Sequence, residues 1–237
     1  VGDIWNKLGQ DIDGERTADE FGYSVSINGD GTIVAIGAPF SNSGYDDSGQ
    51  VRIYQYDGTI WNQLGQDIDG GEWYYDQFGY SVSINDSGTI VAVGAHKHRS
   101  GYTNKGHVRI YQYDSVSDIW NQHGNDIDGE DSGDYSGSSV SLSSDGTRVA
   151  IGANYNEGTG AAYSGHVRVY DLENTTVTTT IYQSIHSDVN SSGTFSADIS
   201  LNNTMIVPGN ITVVDSSSNN YGSYTVYTDK AATNFFS

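Results

Sequence analysis

The side chains best suited to chemistry include two histidines that are two residues apart. His96 and His98 could share a metal ion, because neutral imidazole is a common metal ligand. The sequence identifies no third ligand for them. His107 and His166 occupy the position that Gln50 holds in an earlier copy of the same segment, so they are expected to be structural.

Carboxylates form a second candidate site, because one acidic pair is repeated three times. The pairs are Asp11 and Asp13, Asp67 and Asp69, and Asp126 and Asp128. A spacing of two places both carboxylates on one side of an extended strand. The repetition favours a structural role, in which they accept backbone N–H groups or pair with the repeated Arg52, Arg109 and Arg168. The alternative is a cation site between repeats, with calcium as the ion; no cofactor is required by the sequence.

Composition excludes several classes of protein. The 237 residues have a net charge of -20, which disfavours a nucleic-acid partner. No apolar run is long enough for a membrane-spanning helix, so membrane insertion is not expected. The absence of Cys removes disulfides and cysteine nucleophiles. Phosphate-loop, dinucleotide and Gly-x-Ser-x-Gly motifs are also absent, and we expect no enzymatic activity. Because residue 1 is Val and the only Met is Met205, we expect a processed or excised piece of a longer chain.

An internal repeat positions these residues. Four units alternate along the chain, and their best copies are IWNKLGQDIDGE from Ile4, FGYSVSIN from Phe21, TIVAIGA from Thr32 and GQVRIYQY from Gly49. Each unit has β-branched or aromatic residues in alternation with polar ones, which predicts a strand. Turn residues such as Asn28-Gly29 join the units. Each repeat of about 57 residues is therefore a four-stranded antiparallel meander, which is typical of a propeller blade.

Counting the units predicts one all-β domain over residues 1–237, a β-propeller of four blades. The boundaries are 1–12 for a closing strand, 21–68 for blade 1, 78–127 for blade 2, 136–189 for blade 3, and 195–229 for a fourth blade that residues 1–12 complete. Closure would hide the edge strands of the sheet. Two alternatives stay open: a stack of blades from a larger propeller, and an open chain whose first strand enters the last blade of a neighbour.

The motifs Phe21-Gly22 with Gly37-Ala38-Pro39, and Phe78-Gly79 with Gly94-Ala95, resemble the FG-GAP repeats of integrin α-subunit propellers. The Trp…Gly-x-Asp-Ile-Asp-Gly-Glu element is similar to divergent repeats of large microbial or viral surface proteins. The resemblance implies adhesion, surface scaffolding or ligand binding. Family blades often have a calcium loop, but the matching turn at Asn28 has too few carboxylates, and a tight hairpin explains it better. Integrin-like rings have seven blades, so four is a departure.

Function is expected where the copies differ, in the loops of one face. The candidate binding residues there are Tyr45, Asp46, Trp73, Tyr74, Tyr75, His96, His98, Arg99, Tyr102, Tyr155 and Tyr163. Exposed aromatic residues among Ser, Asn and Gly suit a binding surface. Ordinary polar loops with scattered tyrosines are the alternative. Asn-x-Ser/Thr sequons, which would permit glycosylation, occur at Asn85, Asn174, Asn190, Asn202 and Asn210.

These observations predict a non-enzymatic adhesion, scaffold or assembly module. It would lie outside the cell, on a cell surface or on a virion, and bind a protein, a glycan or copies of itself. A filament joined by strand exchange and a carbohydrate-active enzyme with an acidic site at the propeller mouth are the alternatives. For the fold, Trp5, Trp61 and Trp120 are expected to pack between blades, although a carbohydrate platform is also possible there. The expected core residues are Val25, Ile27, Ile33, Val34 and Ile36.

Overall fold

The computed structural model describes residues 4–70, 74–98, 104–158 and 163–171, together with the backbone of 209–214 and 220–226. The chain divides into two compact units, Val1–Leu172 and Glu173–Ser237. Throughout the described ranges the regular elements are β-strands, which confirms the all-β prediction. No helix in those ranges could cross a membrane.

The first unit contains three antiparallel sheets. Sheet 1 contains β1 (Ser24–Ile27), β2 (Ile33–Ala38), β3 (Gln50–Tyr56), β4 (Trp61–Gln63) and β5 (Ile68–Asp69). Sheet 2 contains β6 (Phe78–Ile84), β7 (Ile90–Ala95), β8 (His107–Asp114), β9 (Ile119–Gln122) and β10 (Ile127–Asp128). Sheet 3 contains β11 (Ser136–Leu142), β12 (Arg148–Ala153) and β13 (His166–Asp171).

Each sheet is a meander in which consecutive strands pair. In sheet 1 the order is β1-β2-β3-β4, and β5 pairs with β3 beyond β4, so the fourth strand of the blade is split into two parts. Sheet 2 repeats this arrangement with β6 to β10. The first hairpin is held by Asn28, whose side-chain oxygen accepts hydrogen bonds from the amides of Thr32 and Ile33 at 2.9 and 2.8 Å. The predicted antiparallel meander is confirmed.

The sheets stack face to face, and small residues permit their close approach. A Cβ atom at Gly37 would collide with the carbonyl oxygen of Gly79, and one at Gly94 would collide with that of Gly137. The interior between sheets 1 and 2 includes Phe78, which is fully buried. A second apolar cluster contains residues of sheets 2 and 3.

The two faces of β1 differ from the prediction. The Ser24 hydroxyl donates to the carbonyl oxygen of Gly79 at 2.7 Å, so the serine face of β1 lies against sheet 2. Val25 and Ile27 alternate with the serines and are exposed, so placing them in the core was wrong for this sheet. Their counterparts in sheet 2, Val82 and Ile84, are buried because sheet 1 covers them.

Residues 8–10 contact sheet 1 in the same way that residues 64–66, from the split strand of sheet 1, contact sheet 2. The Gln10 side chain donates to the Trp61 carbonyl oxygen at 2.8 Å and accepts from the Trp61 amide at 3.0 Å. Gln66 makes the same two bonds to Trp120, at 2.9 and 2.8 Å. Residues 4–12 form no strand, so the closing strand and the four-bladed ring stay predictions.

The tryptophans behave as predicted in two of three copies. The indole of Trp120 is 3% exposed and packs in the core between sheets 1 and 2. Trp61 donates its indole N–H to the Leu8 carbonyl oxygen at 3.0 Å. Trp5 is 100% exposed, because no segment of the described chain precedes it in the stack.

The second unit contains one described hairpin. β14 (Gly209–Val214) pairs antiparallel with β15 (Asn220–Val226), with a register shift between Thr212 and Val214. β15 overlaps the predicted last strand copy, which begins at Gly222.

Candidate functional site

The variable loops lie next to each other on one face, as the repeat predicts: the loop after the second strand of each sheet contacts the loop that leads into the next sheet. The amide of Tyr75 donates to the Asp46 carbonyl oxygen at 2.8 Å, and that of Gln77 donates to Asp47 at 3.0 Å. In the next repeat the amide of Ser136 donates to the Lys105 carbonyl oxygen at 2.9 Å. The loop after each second strand is therefore held against the loop that enters the next sheet.

Seven aromatic rings form a continuous row across the three sheets. We call this set the aromatic row; its members, in spatial order, are Phe40, Tyr23, Tyr80, His96, Tyr135, Tyr155 and Tyr163. The centroid distances between successive rings are 6.0, 5.0, 3.6, 5.7, 5.1 and 5.9 Å. Five of the six separations lie in the usual range for aromatic pairs, and the Tyr80 and His96 rings are closer, so each ring packs on the next.

The row is accessible at both ends and covered in the middle. At one end Phe40 is half-buried and its neighbour Tyr23 is exposed, and at the other end Tyr155 and Tyr163 are exposed. His96 is buried between Tyr80 and Tyr135. The exposed rings therefore present flat apolar faces to solvent, and packing against the neighbouring rings holds them in position.

Two rings of the row, His96 and Tyr23, are uncharged at neutral pH. Burial, followed by the charge of Lys97, lowers the pKa of His96 to about 4. The hydrogen bond with Tyr80, followed by burial, raises the pKa of Tyr23 to about 12. The row therefore offers aromatic faces and hydroxyl groups for binding, and His96 and Tyr23 add no charge to it.

A shallow pocket of about 370 Å³ lies at the Tyr163 end of the row. Its lining residues are Ser132, Gly133, Tyr135, Tyr155, Glu157 and Tyr163. Glu157 is the single carboxylate among them. Acid–base cleavage of a glycosidic bond uses two carboxyl groups in most families, and this lining supplies one.

A smaller aromatic cluster lies beside blade 1. Tyr74 packs against Tyr45 at 4.8 Å and against Tyr75 at 6.4 Å between ring centroids. All three side chains are exposed. Asp46, also exposed, contributes its carbonyl oxygen to this cluster through the bond to Tyr75.

The predicted loop residues are distributed between these two groups. His96, Tyr155 and Tyr163 belong to the aromatic row, and Tyr45, Tyr74 and Tyr75 to the smaller cluster. His98 is buried and belongs to neither. The remaining three, Trp73, Arg99 and Tyr102, lie outside the described residues.

Four members of the row were not predicted. Tyr23 and Tyr80 were read as strand residues, and Phe40 and Tyr135 were not singled out. The signal for Tyr23 and Tyr80 is their shared position after the Phe-Gly pair. Tyr135 replaces Glu20 and Gln77 of the earlier copies, which a comparison of repeats could have found.

Two of the six repeated aspartates, Asp67 and Asp126, pair with the repeated arginines. Arg109 donates from Nε and Nη2 to the Asp126 carboxylate at 3.0 Å. Arg52 contacts Asp67 at 3.1 Å and Glu15 at 2.6 Å, and so links its own blade to the segment before it. The predicted pairing of arginine with aspartate is confirmed in these two repeats.

The other members of the acidic set have different surroundings. Asp11 contacts Lys7 at 3.1 Å in an exposed pair, and Asp13 is exposed. Asp69 accepts a hydrogen bond from Gln50 at 2.8 Å. Asp128 lies beside His98 and His107. The acidic pairs thus do not share one environment from repeat to repeat.

One predicted glycosylation position is blocked in the folded hairpin. Asn85 is buried, and its side-chain oxygen accepts from the amides of Thr89 and Ile90 at 2.9 Å. A glycan there would have to break the turn, so the folded hairpin disfavours glycosylation at Asn85. Asn210 lies in β14, and Asn174, Asn190 and Asn202 lie outside the described residues.

Comparison with known sequences now identifies the repeat. Residues 12–54 match the FG-GAP repeat family. The matched residues run from the end of the first Trp…Asp-Ile-Asp unit into β3, and the family resemblance is confirmed for residues 12–54. Sheet 2 has the same strand order, with its own Phe-Gly at Phe78-Gly79.

No curated protein matches the sequence. Among solved structures, the crystal structure of the tricorn protease has 8% sequence identity and a TM-score of 0.37. That match covers 62% of this chain and 13% of the protease chain.

Proposed function

We propose that this chain is a non-enzymatic binding module that acts at a surface and holds a glycan or protein on the aromatic row. The observation that supports it is the continuity of the row, in which seven rings from three sheets lie in ring-to-ring contact. Aromatic side chains lose little conformational entropy on binding and offer large contact areas. FG-GAP repeats form propeller modules that often serve adhesion.

A glycan chain is the first ligand class to test. Flat apolar ring faces with hydroxyl groups at their edges suit the mixed apolar and polar faces of a sugar ring. The net charge of -20 favours a neutral or basic ligand over an acidic one. We also propose that the module is extracellular or on a virion surface, which a chain of 237 residues without Cys permits.

The test is binding of the full chain to a panel of neutral glycans, measured on an array and then by calorimetry. Tyr155→Ala and Tyr163→Ala remove the exposed end of the row, and each is expected to weaken binding by about 1–3 kcal/mol if a ring stacks on the ligand. Val116→Ala, at an exposed position on the β8–β9 turn, is the matched control. Binding that is unchanged in both tyrosine variants would rule out the row as the site.

A strand-exchange filament is the second candidate function. Its support is a pair of exposed apolar sheet faces, Val25 and Ile27 on β1 and Val167 and Val169 on β13. Large contiguous apolar patches on soluble proteins often mark interaction sites. A polymer that persists on dilution and disappears when residues 1–12 are deleted would favour this function over the monomeric module.

A further inference from the structure

The turn after β7 brings together two histidines that are separated in the sequence. His98 is 5% exposed and His107 is 1% exposed, and their ring centroids are 3.9 Å apart. Asp128 pairs with His107 across the ladder between β10 and β8. One nitrogen of each ring and one oxygen of Asp128 all lie within 4.8 Å of one another.

The backbone holds all three residues in place. The His98 amide donates to the Ala95 carbonyl oxygen at 3.0 Å, and the His98 carbonyl oxygen accepts from Gly106 at 3.2 Å. His107 and Asp128 are in paired strands. The three side chains therefore come from three rigid positions of sheet 2.

Sheet 1 has the same backbone with different side chains. Ser41 takes the place of His98. Its amide donates to the Ala38 carbonyl oxygen at 3.1 Å, and its carbonyl oxygen accepts from the Gly49 amide at 2.9 Å. Gln50 takes the place of His107 and pairs with Asp69 across the ladder. There the side-chain Nε2 of Gln50 donates to the Asp69 carboxylate at 2.8 Å, so the polar group is satisfied.

In sheet 2 the corresponding polar group is not satisfied. Neither ring nitrogen of His107 makes a hydrogen bond within the described part of the chain. Buried polar atoms are nearly always paired, and a bound ion is one explanation of an exception. Burial, followed by the charges of His98 and Arg109, lowers the pKa of His107 well below its ordinary value. The ring is therefore neutral and has a lone pair to offer.

Asp76 orients the other histidine. Its carboxylate lies 2.8 Å from Nδ1 of His98, and both side chains are buried. A carboxylate on one ring nitrogen places the proton there and leaves Nε2 as a ligand, which is the usual arrangement around metal-binding histidines.

We propose that His98, His107 and Asp128 bind a divalent transition-metal ion of the zinc type, and that Asp76 is the positioning residue for His98. Two imidazoles and one carboxylate are a donor set that zinc accepts, with a fourth position left to water. Calcium is a poorer fit, because it prefers six to eight oxygen ligands. Asp128 is exposed, so the ion has access from solvent.

The ion would cross-link the turn after β7 to strands β8 and β10. His96, the partner that the sequence suggested for His98, is not part of the site, because its ring packs on Tyr80 at 3.6 Å. The site is thus distinct from the aromatic row. Asp67, which pairs with Arg52, is not part of it. Asp126, which pairs with Arg109 at 3.0 Å, borders the site, because its carboxylate lies 3.6 Å from Nδ1 of His107.

The test is a zinc titration of the chelator-treated full chain, in competition with a chromophoric chelator, with cobalt absorption as a second readout. We expect one equivalent of zinc to bind. His98→Ser and His107→Gln give sheet 2 the residues of sheet 1, which folds with them, and each should abolish the tight binding. Asp76→Asn should weaken binding by about 10- to 100-fold while keeping the stoichiometry.

The matched control is His166→Gln, which changes the same position in sheet 3, where Asn156 replaces His98. It should leave zinc affinity and the cobalt spectrum unchanged. The proposal is overturned if the wild-type chain does not compete with the chelator for zinc. It is also overturned if the double variant of His98→Ser and His107→Gln binds zinc as the wild type does. Circular dichroism of each variant distinguishes a lost ligand from a lost fold.

Discussion

The indole N–H of Trp120 donates a hydrogen bond to the carbonyl oxygen of Leu64, 2.9 Å away in the preceding blade. Trp61 makes the same bond to Leu8 at 3.0 Å. In both cases a glutamine two residues after the accepting carbonyl, Gln66 or Gln10, bonds both backbone groups of the tryptophan. The repeat therefore joins blades through one conserved geometry within this chain.

Replacing Trp120 by Phe tests this joint. The Leu64 carbonyl oxygen loses its donor in a partly buried position, so we expect the free energy of unfolding to fall by about 1–3 kcal/mol. Urea denaturation measures the change. Val116→Ala, at a residue that is 90% exposed, should have no effect. A Trp120→Phe variant as stable as the wild type would contradict a structural role for the hydrogen bond.

A second prediction compares two arginines of opposite exposure. Arg109 is buried and bonds Asp126 and the carbonyl oxygen of Gly70, so Arg109→Ala leaves a carboxylate without its partner. We expect a loss of about 3 kcal/mol, reduced to the extent that water reaches Asp126. Arg148 pairs with Asp171 at 2.7 Å, but both side chains are mostly exposed. Arg148→Ala should therefore change stability by less than about 1 kcal/mol.

Thermal and urea unfolding of the two variants should rank them in that order. Equal losses in both would show that the arginine–aspartate pair contributes no more when it is buried than when it is exposed.

The turn between β11 and β12 should make stability depend on pH. A hydrogen bond from the Ser143 hydroxyl, followed by bonds from the Thr147 amide and hydroxyl, lowers the pKa of Asp145 to about 2 from 3.8. A carboxyl group whose pKa is lower in the folded state stabilises the fold above its unfolded pKa. This contribution should be complete above about pH 5, fall as the pH drops through 4, and be lost below about pH 2.

The measurement is the difference in unfolding free energy between the wild type and Asp145→Ala as a function of pH. The difference should shrink on acidification through this window. Asp145→Asn, which keeps an acceptor but cannot titrate in this range, is the control. A difference that stays constant from about pH 5 to pH 2 would contradict the prediction.

The repeat made the strands, the meander order and the arginine–aspartate pairs predictable. Residues such as Val51 and Arg52 alternate within one strand, and period-two alternation is visible without a structure. Val25 and Ile27 show its limit, because the sequence says which residues share a face and does not say whether a neighbour covers that face. Val82 and Ile84 have the same pattern and are buried.

The histidine site could not be predicted, because its residues are not close in sequence. His98, His107 and Asp128 come together only through the turn after β7 and the ladder between β8 and β10. The aromatic row depends in the same way on three separate sheets. Comparing the repeats position by position would have shown both differences, since His98 replaces Ser41 and Tyr135 replaces Gln77.

The last prediction concerns closure of the ring. Residues 8–10 contact Trp61 as residues 64–66 contact Trp120, so the first segment takes the place of a blade's last strand. Trp5 has the corresponding position in that strand and is fully exposed. In a closed four-bladed ring its indole would find a carbonyl oxygen in the predicted last strand of blade 3. We therefore expect Trp5→Phe to reduce stability by about 1–3 kcal/mol, as Trp120→Phe does.

Light scattering supplies the control for this experiment. A closed ring predicts a particle of 25.5 kDa that does not change on dilution. If Trp5→Phe is as stable as the wild type and the particle is a monomer, the ring is open and the exposed faces at Val25 and Val167 are uncovered in solution. If the particle is a polymer and Trp5→Phe dissociates it, the first strand enters a neighbouring chain, because the same indole bond then forms between molecules.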